Sequence, residues 1–458
     1  MSLIVQLPDI LEESRKEREA LMSRGEGPRG EGPSFSVTEE MRARGAGGKD
    51  SPPENLIVRG ENAAFMEYLL REKGMAGKLQ LIYIDPPFFS KSDYGAEIKL
   101  FSGKGGKLPV MKQQAYPDTW EKGMGEYLRM MALRFFLMRE LLSEEGALWV
   151  HADWHAVHYL KVLLDEIFGE KNFVNEVVWQ YKSGGASKRR FARKHDTLLF
   201  YAKSPDYYFQ AQQEISYNRG YKPYRFKGVK EYRDELGWYT MVNRKDVWQL
   251  DMVGRTSAER TGYVTQKPET LVRRILESCT REGDLCADFF GGSGTMAAAA
   301  QDMGRRWISC DVGKLAAVNT LKRMTEKGGG FTFLEEDGGA EEGVLKADIT
   351  LQAGVVSDTM ELNIRLTDYA PASLEEIPVE EKYLPAIEKL LREDPLQLVD
   401  YWSVDWAWDG RVHRPQACFC KGKERVTDCC GTIAASPGPV SVRAVDIFGN
   451  TARLIREV

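Results

Sequence analysis

Short apolar runs alternate with helical repeats along much of this chain, and that alternation admits few architectures. Leu79-Gln-Leu-Ile-Tyr-Ile84 is an apolar run of strand length. Glu126 to Leu142 carries apolar residues at helical spacing, Ala147–Val150 is a second strand-length run, His155–Phe168 is again helical and Val174–Tyr181 is strand-like. The pattern breaks, then resumes. Pro268–Cys279 reads as a helix with proline at its start. Leu285–Asp288 reads as a strand, Met296–Met303 as a helix and Trp307–Asp311 as a strand. Strands alternating with helices in this way imply an α/β fold, a parallel sheet joined by crossover helices.

The segments around this alternation differ in composition. Residues 21–53 are dominated by Gly, Pro and charge, so 1–54 reads as a flexible N-terminal arm. Order begins at Asn55, and Asn62–Leu70 has helical spacing. Residues 89–118 hold many Gly and Lys and read as a mobile loop. The interval 182–260 separates an α/β half at 55–181 from a second half at 261–324. Residues 325–343 read as a linker, and 344–458 as a small mixed α+β domain with one helix near Leu384–Leu391.

Composition narrows the class. Hydrophobic residues make up 43% and charged residues 29%, ordinary for a globular protein and wrong for a collagen-like or disordered chain. No apolar run reaches the roughly 18 residues of a membrane span, and the polar N-terminus does not read as a secretory signal. Seven cysteines, an odd number, fit a reducing cytoplasm better than a disulfide framework. The net charge of −5 hides an asymmetry. Tyr181–Arg260 holds 17 Lys and Arg against 9 acidic residues, whereas Glu341–Val458 holds 13 against 20. The first segment suits a polyanion and the second does not.

Three motifs carry chemistry. Phe289-Phe-Gly-Gly-Ser-Gly-Thr295 lies between a strand and a helix, where glycines let the backbone approach a ligand. An ordinary tight turn has the same look, but Asp311 ends the next strand, about twenty residues on, where a carboxylate can hold both hydroxyls of a ribose. The glycines fit neither the dinucleotide spacing nor a phosphate loop, so a nucleoside without phosphates is the better reading. Asp85-Pro86-Pro87-Phe88 follows a buried strand. Its prolines remove two N–H donors, leaving the Asp85 carboxylate and the Pro86 carbonyl as acceptors beside an aromatic face. That set suits a planar amine; the competing reading is a rigid turn with a strand-capping aspartate. Thr265-Gln-Lys-Pro268 opens the helix before the glycine turn, where a hydroxyl or lysine can meet a carboxylate.

In this order the motifs resemble the β-class amino DNA methyltransferases, and the resemblance runs from about Asn55 to Lys322. Gly60-Glu-Asn62, His158–Gly169 and Glu259–Pro268 support it. It implies a circularly permuted class I methyltransferase sheet, Rossmann-like, with the catalytic half before the cofactor half and a target-recognition region inserted at 182–260. The implied cofactor is S-adenosyl-L-methionine and the substrate double-stranded DNA, from which the target base flips out. Asp85, Pro86, Pro87 and Phe88 would be catalytic. Asp288, Phe290, Gly291, Gly292, Gly294 and Thr295 would line the cofactor, with Asp311 at its ribose, Thr265 or Lys267 at its amino-acid end and Asn62 near its adenine. Asp at the first motif position points to the N6 amine of adenine; N4-cytosine specificity and a non-catalytic nucleic-acid-binding module are the alternatives. The tail Val445–Thr451 resembles the ends of type III modification subunits, which leaves a homodimer or a restriction subunit as further partners.

Other clusters have plainer readings. His151, His155 and His158 read as a strand end and helix start rather than a metal site. Cys418, Cys420, Cys429 and Cys430 do not have usual zinc spacing and read as a hairpin. No metal is expected. Lys188, Arg189, Arg190, Arg193 and Lys194, in a region with fifteen aromatic residues, are the expected DNA contacts.

Overall fold

A computed structural model describes residues 2–23, 32–44, 54–91, 94–98, 111–116, 118–182, 187–338, 342–353, 360–374, 377, 379–422, 426–434 and 437–458. Its centre is a ten-stranded sheet: β1 (Phe35–Met41), β2 (Leu56–Arg59), β3 (Leu79–Ile84), β4 (Leu142–Ala152), β5 (Phe173–Gln180), β6 (His195–Ala202), β7 (Val247–Gln249), β8 (Leu285–Asp288), β9 (Arg306–Asp311) and β10 (Phe331–Glu336). The spatial order is β1-β10-β2-β9-β8-β3-β4-β6-β5-β7. From β10 through β4 the six strands are parallel, while β1 and β6 run against their neighbours. Every residue of β3 is buried, as a central parallel strand covered on both faces requires.

Helices cover both faces. One core packs α1 (Leu3–Ser23), α2 (Asn62–Arg71), α3 (Met124–Leu141) and α4 (Val157–Phe168) on the sheet. The other packs α5 (Glu269–Cys279), α6 (Thr295–Asp302) and α7 (Lys314–Glu326). Four consecutive alanines, Ala297–Ala300, are buried in α6 and bring it close to the sheet. The neighbours β8 and β3 are some two hundred residues apart in sequence, so the two halves of the sheet are joined in permuted order.

Beyond the sheet, Gln213–Tyr217, Glu231–Arg233 and Trp238–Asn243 form a small antiparallel sheet. The C-terminal region has its own core between a three-stranded and a four-stranded sheet, with α8 (Leu384–Glu393) against them.

Several expectations are corrected. The arm read over 1–54 contains α1, whose Leu3, Leu7, Ile10 and Leu11 recur at helical spacing and pack on the core, and β1, which pairs with β10; residues 24–31 and 45–53 lie outside the described residues. Within 89–118, Tyr94–Ile98 pairs with Met111–Tyr116 as a hairpin, and 99–110 lie outside the description. Strands β6 and β7 belong to the central sheet, so 182–260 is not one insertion outside it; 203–246 is its longest stretch off that sheet. Strand β10 occupies the middle of the supposed linker, and β2 sits between β9 and β10, with the strands of the second half rather than those of 55–181. The cysteine pairs lie on strands of two different sheets, not on one hairpin.

Candidate active site

Three neighbouring parallel strands end in carboxylates on one rim. Asp85 follows β3, Asp288 closes β8 and Asp311 closes β9, with Ile82 opposite Ala287 and Asp288 opposite Ser309. The carboxyl ends of parallel strands are where open α/β sheets hold ligands. Here they border a cavity of about 280 Å³. Eleven of the residues expected from the sequence line it: Asn62, Asp85, Pro87, Thr265, Lys267, Asp288, Phe290, Gly291, Gly292, Thr295 and Asp311. Pro86, Phe88 and Gly294 are not among its lining residues.

The glycine turn is shaped by its neighbours. A Cβ on Gly291 would come within 2.4 Å of the Ser309 hydroxyl, and Gly294, at φ +71°, within 2.7 Å of the Thr320 hydroxyl. Gly294 therefore serves the packing of α6 on α7 rather than the cavity wall. Gly292 donates its N–H to Asp311 Oδ2 at 2.8 Å, and Gly313 donates to Oδ1 at 2.8 Å. Each Asp311 oxygen keeps a second acceptor site. Burial pushes Asp311 above the usual carboxylate range, and these two N–H groups oppose it. Asp288 is driven well above that range by burial, against the Phe290 N–H and with the help of Asp85 and Asp311 nearby.

At the other end, Lys267 Nζ bonds Asp85 Oδ2 at 2.5 Å and lies 5.2 Å from the centre of the Phe88 ring. The lysine is thus placed at the Asp85–Phe88 motif as well as on the cavity wall. Asp85 Oδ1 is buried and has no hydrogen-bond partner. Asn62 donates to the Phe289 carbonyl at 2.7 Å and accepts from Arg134 Nε at 2.6 Å, which ties α2 and α3 to the entry of the glycine turn.

The sequence reading missed a group of supporting residues. Glu61, Tyr83, Trp120, Arg134 and Tyr263 also line the cavity. Asp118 is fully buried and accepts from the N–H groups of Phe89 and Ser90 and from Trp120 Nε1 at 3.1 Å, anchoring the chain just after the Asp85 motif. His151, on β4, is buried with Nδ1 at 3.2 Å from the Tyr83 hydroxyl and 3.8 Å from Asp85 Oδ1, and Nε2 at 3.1 Å from Asp196. Burial would raise Asp196, but the bonds from His151 and Tyr181 and the charge of Lys267 bring it below the usual range. His151 was visible in the sequence only as one of three close histidines. The others had no local signal, because helix and strand packing brings them in from afar.

Lys188, Arg189, Arg190 and Arg193 are exposed in the β5–β6 loop, and Lys194 is half-buried. The Arg193 guanidinium lies 3.4 Å from the centre of the Trp154 ring.

Residues 79–318, over half the chain, match the family model described as DNA methylase, for N6 and N4 methyltransferases. The type II methyltransferase M.EcaI of Enterobacter cloacae is 26% identical over 330 residues, which covers 59% of this chain and 69% of that protein. M2.DpnII of Streptococcus pneumoniae, also a type II methyltransferase, is 28% identical, covering 59% of this chain and 89% of its own. A probable type III restriction-modification Mod subunit of Haemophilus influenzae, HindVI, is 24% identical over 423 residues, covering 64% of this chain and 53% of its own.

Proposed function

Since the chain belongs to the N6/N4 DNA methylase family, we propose that it methylates the N6 amine of an adenine flipped out of double-stranded DNA, at a specific sequence, within a restriction–modification setting. The observation that carries this reading is Asp85 Oδ1, a buried acceptor with no partner at the cavity wall. Lys267 occupies the other oxygen, so Oδ1 is left for a donor from outside.

S-adenosylmethionine, when bound, supplies an electrophilic methyl group on a sulfonium sulfur. The cavity fits it: Asp311 keeps acceptor sites for two ribose hydroxyls, the glycine turn allows close approach, and Thr265 offers a hydroxyl. Asp85 Oδ1 and the Pro86 carbonyl accept the two N–H bonds of the target amine. This draws the nitrogen toward tetrahedral geometry and frees its lone pair from the ring. The Asp85 carboxylate stabilises the positive charge that then develops on nitrogen, and Phe88 gives the base a stacking face. Much of the remaining rate comes from positioning. Arg189 and Arg190 hold the duplex by its phosphates, while residues 203–246 read its sequence.

Single-base mapping of modified DNA from an expressing host tests the reading. N6-methyladenine at one motif with the native chain, and none with Asp85→Ala, is the expected result. Asp85→Ala should still bind cofactor in calorimetry, because Asp85 holds the amine. Methylation at N4 of cytosine would replace the base and keep the class; no modification by the native chain would reject the activity.

A further inference from the structure

Phe191 is 98% exposed, more than any other large apolar side chain among the described residues. A single exposed apolar residue is ordinary. This one is flanked by Lys188, Arg189 and Arg190 on one side and by Arg193 and Lys194 on the other. An apolar protein surface cannot cover it without also burying cations. A polyanion with flat apolar planes inside it can, and that is the chemistry of a nucleic-acid stack between phosphates.

The loop also stands in a particular place. It joins β5 to β6, and the pairing of Ala152 with Thr197 and of Val150 with Ile84 puts its base on the rim that carries Asp85. Asp196, just inside β6, touches His151 at 3.1 Å, and His151 is 3.8 Å from Asp85. Phe191 is five residues from Asp196, so it lies within about 18 Å of it even at full extension. The stacking of Arg193 on Trp154, two residues beyond β4, pins the loop to this rim two positions from Phe191.

We propose that Phe191 is a wedge that enters the DNA stack beside the target base and holds open the gap when that base leaves; this rests on the methylase reading above. Extruding a base leaves its partner and neighbours unstacked. Apolar wedges are known to fill such steps, and one aromatic stacked on a base changes an equilibrium by roughly ten- to a hundredfold. A side chain that is 98% exposed gives up little packing in the free protein when it is buried, so the gain goes to the flipped state.

The test uses duplexes bearing the mapped motif, with the target base either paired or opposite an abasic site. Fluorescence of 2-aminopurine at the target (pyrrolocytosine, should mapping return cytosine) reports extrusion without any methyl transfer. Phe191→Ala should fold with an unchanged thermal midpoint. It should lose the fluorescence rise and at least tenfold in methylation of the paired duplex, and should recover to within about threefold of native opposite the abasic site, where extrusion is already cheap. Phe191→Trp should retain both signals. An active native protein with an indifferent Phe191→Ala, or a loss equal on both duplexes, overturns the wedge alone. A native chain that modifies no DNA overturns the methylase reading and the wedge with it.

Discussion

Asp311 holds two backbone turns with one carboxylate and, in the function proposed above, a ribose as well. Its two oxygens each take one backbone N–H of the turns that follow β8 and β9, and each retains a lone pair toward the cavity. Removing it should therefore weaken cofactor binding twice over, by loss of two charge-assisted bonds and by release of the glycine turn. Asp311→Ala is expected to cost about 1.5–3 kcal/mol, a ten- to hundredfold loss of S-adenosylmethionine affinity in calorimetry. Asp311→Asn should not rescue it, because an amide N–H₂ would face the N–H of Gly292 or Gly313. Unchanged affinity in either variant would place the ribose elsewhere. Asp85 was legible in the sequence because it stands between an apolar strand and two prolines, and Asp311 because it closes the strand that follows the glycine turn. Arg134 and Asp196 were not. One is a basic residue within a long amphipathic helix and the other an acid at the start of a strand, and only the fold makes them neighbours of Asn62 and His151.

The elements with strong periods were legible and those with short or interrupted ones were not. Strand β3 and helices α3 to α6 stand within a few residues of their expected bounds, because each buries a continuous apolar run or stripe. Strand β10 reads Phe-Thr-Phe-Leu-Glu-Glu between glycine-rich flanks, and composition outweighed its four buried residues. In the hairpin of Pro439–Asp446 with Thr451–Glu457, the turn chemistry was not visible in the sequence. There Asp446 accepts from the N–H groups of Phe448 and Asn450, from the Asn450 amide and from the Tyr369 hydroxyl at 2.9 Å. Burial nevertheless outweighs those donors and raises its pKa to about 6. The unfolded chain releases this proton near the ordinary aspartate value of about 3.9. Between these values the folded state holds the extra proton, so Asp446 makes stability fall as pH rises from about 4 to about 6, by roughly 3 kcal/mol in all. Asp446→Asn cannot titrate. Urea unfolding at a series of pH values should show the native chain losing ground to the variant by that amount across this window. A difference independent of pH would mean that the turn's donors hold Asp446 ionised throughout.

The C-terminal domain is bound into the molecule rather than appended to it. It meets the sheet at its β1 edge, where Glu40 N–H donates to the His413 carbonyl and Arg414 pairs with Glu40 at 2.7 Å. It meets α7 through Lys322 and Asp400 at 2.8 Å. It also receives Met111, from the hairpin that follows the Asp85 motif, into its own core. At the centre of the first contact, Glu39 of β1 accepts from Arg443 at 2.7 Å and from the Tyr401 hydroxyl at 2.5 Å, with both charged side chains buried. Burial raises Glu39 above the usual carboxylate range, and Arg443 is the largest force opposing that. Breaking such a pair from one side leaves an uncompensated charge, which costs about 3–5 kcal/mol, whereas replacing both partners with apolar groups of similar volume is often neutral. Arg443→Met should therefore lower the denaturant midpoint sharply, and adding Glu39→Leu should restore most of it. The sign with pH follows from the raised carboxyl. The single variant's deficit should shrink as pH falls and Glu39 takes up a proton. The unfolding transition should stay single in all three proteins, followed both by far-ultraviolet dichroism and by tryptophan fluorescence, if β1 and the C-terminal sheets unfold with the methylase core. A separate early transition in Arg443→Met, with the core transition unmoved, would show the C-terminal domain to be an independent unit; a double variant no better than the single would show that the pair's geometry, not its charge, joins the two.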